Sequence, residues 1–78
     1  MNTKPIDTYL TREIRKAMID ADVSYDQIGE GTGRAWRNRI NNPRRMNGEQ
    51  YFYLCQRLRQ NPSDLLARAL TTRDTTRR

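Results

Sequence analysis

Apolar residues along this chain recur at steps of three and four and nowhere alternate, so the pattern predicts helices throughout and no strand. Leu10, Ile14, Ala17, Met18 and Ala21 mark a first amphipathic helix over Thr8 to about Ala21, with Asp7 placed to cap it. Val23 then leads into Ser24-Tyr25-Asp26-Gln27. In such an S-x-x-Q box the serine oxygen and the glutamine side chain satisfy each other's first-turn amides, which predicts a second helix from Tyr25. That helix is brief, because Gly29, Gly31 and Gly33 follow Ile28 and each glycine inside a helix costs about 1 kcal/mol relative to alanine. Thr32 reads as the cap of a third helix, Gly33 to about Asn41, which Pro43 stops.

The same logic continues downstream. Asn47-Gly48-Glu49-Gln50 caps a fourth helix and sets an acid near the positive end of its dipole, with Tyr51, Leu54, Cys55 and Leu58 as the buried stripe. Phe52 and Tyr53 leave that stripe and fit a rim, a subunit contact or, through Tyr53, a phosphate donor. Asn61-Pro62 closes this helix and opens a fifth, in which Leu65, Leu66 and Leu70 are expected to complete the core beside Ala69. Thr71 to Arg78 holds only threonine, arginine and one aspartate, which predicts a disordered basic tail. The expected fold is therefore all-α, a compact bundle of about five short helices over residues 1–70 with a tail over 71–78. With 78 residues the core is small, and a second subunit would relieve that limit.

Charge sharpens the picture by its placement. Of the fifteen cations thirteen are arginine, the formal charge is +6, and there is no histidine. Between Gly31 and Gly48 stand Arg34, Arg37, Arg39, Arg44 and Arg45, and all nine carboxylates lie outside that stretch. Stepping round the third helix at about 3.6 residues per turn puts Gly33, Trp36 and Ile40 on one side and Arg34, Arg37, Asn38 and Asn41 on the other. Trp36 could stack on an unpaired base, but a helix this polar needs an anchor, which favours the core. Arginine pairs with O6 and N7 of guanine, asparagine with N6 and N7 of adenine, and Ala35 could meet a thymine methyl, so the outer side carries what the major groove rewards. Arg39 leans to the flank, and Arg44 and Arg45 follow in a loop where cations grip phosphates more often than bases.

Other chemistry finds little support. The usual histidine base is missing and the single cysteine, Cys55, sits in an apolar stripe, so no enzyme is expected. Asp20, Asp22, Asp26 and Glu30 read as helix-surface acids, not a metal cluster, and no cofactor is implied. Residues 29–33 lack the Gly-Lys-Ser/Thr ending of a phosphate loop. No run approaches the ~20 apolar residues of a membrane span and the first ten residues are polar, which points to the cytoplasm.

The order of parts resembles the lambda-repressor and Cro-like helix-turn-helix family of small phage and bacterial regulators, over roughly Thr11 to Leu70. Val23-Ser24-Tyr25-Asp26-Gln27-Ile28-Gly29 looks like the opening of that family's first motif helix, and Asn61-Pro62-Ser63-Asp64-Leu65-Leu66 like its closing segment. The chain departs from the family at Tyr25, where glutamine is common, and at Gly29, where alanine is common. The resemblance implies a first motif helix braced on phosphates, a recognition helix beginning near Gly33, and a homodimer on a near-palindromic operator.

The expectation is a sequence-specific binder of double-stranded DNA, a regulator of transcription and more specifically a repressor. Arg34, Ala35, Arg37, Asn38 and Asn41 would meet bases, and Tyr25, Gln27, Thr32, Arg39, Arg44 and Arg45 would hold the backbone. Two other functions fit the same basic face: an excisionase-like factor that bends DNA, or an interaction module such as an antitoxin or antirepressor that docks on an acidic protein. RNA is less favoured, since few aromatics remain for stacking once Trp36 is buried.

Overall fold

The computed structural model describes residues 5–76, and every regular element among them is helical. These are α1 (Ile6–Ala21), a 3-10 turn at Tyr25–Gln27, α2 (Gly33–Asn41), a second 3-10 turn at Pro43–Arg45, α3 (Gly48–Arg57) and α4 (Pro62–Thr76). The described residues thus hold four α-helices, not five, because the second predicted helix closes after one 3-10 turn. The cause is local: past Ile28 the backbone swings to φ +92° at Gly29 and +55° at Glu30, which no continuing helix tolerates. Of its capping box, the Ser24 N–H donates to Gln27 Oε1 at 2.9 Å.

Two boundaries differ from expectation. α1 begins at Ile6 behind Pro5, so Asp7 sits inside the first turn, where its carboxylate is drawn to Arg44 instead of capping the helix. At the other end, residues 71–76 continue α4 where a tail was predicted, and residues 77 and 78 lie outside the described range. Once a helix exists, adding residues is cheap. Thr71 and Thr75 here turn their hydroxyls onto the carbonyls of Ala67 and Thr71, both at 2.9 Å, and polar residues extend the helix, with Thr72 and Arg73 half-buried.

α1 packs chiefly on α4 and also touches α2 and the Pro43–Arg45 turn. One core joins Ile14, Ala17 and Met18 of α1, Ile28, Trp36 and Ile40, Leu54, Cys55 and Leu58, and Leu65 of α4. Helical periodicity finds nearly all of these. On α4, however, only Leu65 and Ala69 are buried; Leu66 and Leu70 are 40 % and 37 % exposed and form an apolar edge instead of completing the core. α1 also buries Tyr9 and Glu13, which its aliphatic stripe does not mark. Glu13 is held from both sides, by Lys16 at 3.3 Å and by Arg68 of α4 at 3.7 Å, so the buried carboxylate ties α1 to α4. Phe52 is exposed. Tyr51 is half-buried, and its hydroxyl donates to the Pro62 carbonyl at 2.8 Å, fixing where α4 begins.

The turn between Ile28 and α2 depends on glycine. A Cβ on Gly29 would stand 2.6 Å from the Tyr53 hydroxyl, on a backbone angle that side chains rarely adopt. Gly29→Ala is therefore expected to destabilise the fold by about 2 kcal/mol. Urea unfolding checks this, and an unchanged midpoint would mean the turn relaxes freely. Burial also pushes the Cys55 thiol above its ordinary pKa. The folded state then favours the neutral thiol, so this stabilisation is complete at neutral pH and is lost as pH rises past the unfolded thiol's value of about 8.5. Stability should fall in mildly alkaline solution, and Cys55→Ala should remove part of that slope while leaving the neutral-pH value lower by a small cavity cost.

Candidate nucleic-acid interface

α2 owes its orientation to both ends of its sequence. At the start, Thr32 Oγ1 accepts from the Ala35 N–H at 3.0 Å, the predicted cap. Gly33 beside it gives Asp26 its room: a Cβ there would sit 1.9 Å from a carboxylate oxygen of Asp26, which would have to swing aside, and at a tight 3.1 Å from the Asp26 backbone nitrogen. At the far end, Thr11 of α1 donates its hydroxyl to the Ile40 carbonyl at 2.6 Å. Between them Trp36 and Ile40 are 1 % and 0 % exposed, so this helix buries the two side chains that the sequence offers as anchors.

Trp36 also has a polar task. Its Nε1 donates to the Gly29 carbonyl at 2.5 Å, and its ring stacks on Tyr53 with centroids 6.0 Å apart. Beside it, Tyr53 donates its hydroxyl to the Ile28 carbonyl at 3.0 Å, and Arg57 donates to the carbonyls of Ile28 and Gln27 at 2.9 and 2.7 Å. Tyr53 is thereby a brace of the turn, which leaves its hydroxyl proton committed inside the protein.

The eleven residues proposed from sequence separate into groups with different freedom. Arg34, Arg37 and Asn38 are exposed on the outer side of α2, and among the described residues no side-chain or backbone partner engages their side chains. Arg45 is likewise exposed and unengaged. Ala35 is half-buried on the same helix. Arg39 lies flat on the Trp36 ring, its guanidinium carbon 4.9 Å from the centroid, so it is held at the flank. Arg44 is paired with Asp7 at 2.5 Å, within a 3-10 turn and not a loop. Asn41 accepts a hydrogen bond from Arg15 of α1. Tyr25 packs against the core, and the Gln27 side-chain Oε1 accepts from the Ser24 N–H.

Two residues that shape this region have no signature in the sequence. Arg15 and Arg57 reach partners 26 and 30 residues away, a separation at which local periodicity carries no signal. Among the described residues no helix is long and apolar enough to cross a membrane, and no group of three or more His, Cys, Asp or Glu could hold a metal ion. Compared with known proteins, the chain matches no family model, no curated protein and no solved structure.

Because the indole both fills the core and satisfies Gly29, its two contributions can be separated. Trp36→Phe keeps an aromatic ring but orphans the Gly29 carbonyl, and should cost about 1–3 kcal/mol while the far-UV helical signal survives. A variant as stable as the parent would show that the hydrogen bond contributes nothing net.

Proposed function

We propose that the protein is a sequence-specific binder of double-stranded DNA that regulates transcription, acting as a repressor by occupying its site. One observation carries this reading: Trp36 and Ile40 are buried, and the opposite side of α2 presents Arg34, Arg37 and Asn38 without internal partners. A short helix whose outward side chains are guanidinium and amide groups suits a major groove, which admits a helix and displays matching acceptors. In this reading the turn at Tyr25–Gln27, the glycine turn and α2 together serve as an abbreviated helix-turn-helix.

The roles follow from the freedom of each group. Arg34, Arg37 and Asn38 read bases, and Arg45 grips the backbone, whereas Arg44 contributes less because Asp7 already neutralises it. The apolar edge of Leu66 and Leu70 is the surface we assign to a second copy, which would set two α2 helices about 34 Å apart on one face of the duplex.

Selection from a random duplex library at fixed salt tests the reading, with a sharp motif as the expected result. Failure to enrich any sequence would reduce the protein to a general polycation. On the selected site, Arg37→Ala should cost about 1–3 kcal/mol and relax preference at one base pair. Arg45→Ala should instead weaken all duplexes alike and lower the salt slope by about one. Identical behaviour of the two variants would refute this division of roles.

A further inference from the structure

A contact at the C-terminal edge of α2 changes what one of these residues can do, and its interpretation rests on the duplex-DNA reading above. Arg15 of α1 donates through Nη2 to Asn41 Oδ1, and both side chains are exposed. Close by, Thr11 ties α1 to the end of α2 through the Ile40 carbonyl. An open groove of about 550 Å³ runs along this seam, with Thr8, Arg12, Arg15, Lys16 and Asn41 in its walls. Asp7 also lines it, but that carboxylate is paired with Arg44. Arg12 lies over the Tyr9 ring at 5.7 Å and Lys16 is drawn to Glu13, so among these three cations Arg15 is the one joined to α2.

We propose that Arg15 and Asn41 act together as a donor clamp on one DNA phosphate, so that Asn41 positions the backbone instead of reading adenine. Two-point recognition of adenine asks an asparagine to accept from N6–H and donate to N7. Arg15 engages the accepting oxygen. Beyond that bond the pair offers the Asn41 amide hydrogens and the remaining guanidinium hydrogens as donors, with one positive charge, against a single second lone pair on Oδ1. A phosphodiester oxygen accepts only and is anionic, which matches that set. The mixed edge of adenine does not, and guanine's O6 and N7, though both accept, lack the negative charge that the pair's cation favours.

The test uses the full chain and the duplex selected by the parent protein. Arg15→Ala should lose about tenfold in affinity on that duplex and on an unrelated one alike, with a salt slope lower by about one. Asn41→Ala should weaken binding yet select the same motif. Asn41→Asp keeps a partner for Arg15 but adds negative charge toward the phosphate, and should weaken binding more than alanine does. In a scan of single methylphosphonates along the site, one neutralised phosphate should cost the parent about tenfold and cost Arg15→Ala nothing further.

Because both side chains lie at the surface, unfolding midpoints should stay unchanged and separate lost contacts from lost structure. Unaltered affinity and salt slope in Arg15→Ala, or loss of a base preference in either Arg15→Ala or Asn41→Ala, would overturn the clamp while the parent's motif kept the DNA reading intact. A parent protein that binds no duplex would overturn both.

Discussion

Three consecutive carbonyls, those of Gln27, Ile28 and Gly29, lie where the chain leaves its first 3-10 turn, and the rest of the structure depends on how they are satisfied. An unpaired buried carbonyl costs about 1–3 kcal/mol, and a small domain's whole stability is about 5–15 kcal/mol. The Gln27 carbonyl is exposed, but those of Ile28 and Gly29 are part-buried, and leaving these two without partners would remove a sizeable share of it. The donors come from Trp36 on α2 and from Tyr53 and Arg57 on α3, so satisfying the turn also fixes both helices against it. The indole can fill the core and reach Gly29 at once in only one rotational setting of α2. That setting turns Arg34, Arg37 and Asn38 outward.

The distribution of charge follows from the same packing. Among the described residues five arginines are occupied by partners in other elements or rings: Arg57 on the turn carbonyls, Arg39 on Trp36, Arg44 on Asp7, Arg68 on Glu13 and Gln60, Arg15 on Asn41. Net charge is consequently a coarse guide to what this surface can bind. Arginines held by internal partners act as rigid donors or as part of the scaffold, and free ones can reorganise around a ligand. Among the described residues the arginines without side-chain partners are Arg34, Arg37, Arg45 and Arg59, and the first three fall in and just after α2, a clustering that gives the proposed interface its direction.

The helices were legible because their signals are local. Thr32 and Asn47 cap where their spacing places them, and the three- and four-residue steps through Ile14, Trp36, Ile40, Leu54 and Leu58 identify core positions. The candidate face was legible for the same reason, since the angular separation of Trp36 from Asn38 is a property of any helix. Errors arose where an outcome depended on distant atoms. Asp7 looked like a cap until Arg44 claimed it, and residues 71–76 looked like a tail because composition does not register a helix already growing from Pro62. Leu66 and Leu70 looked buried because hydrophobicity cannot say which side of α4 meets α1.

Sequence by itself determined the all-helical fold, the limits of α2 and the division of that helix into an apolar side and a cationic side, because caps and periodicity act over a few residues. Tertiary structure alone decided which cations remain free and which become fixtures. A guanidinium's partner is chosen by whichever carbonyl, ring or carboxylate packing brings within reach, and for Arg15, Arg44 and Arg57 that partner lies 26, 37 and 29 or 30 residues away along the chain.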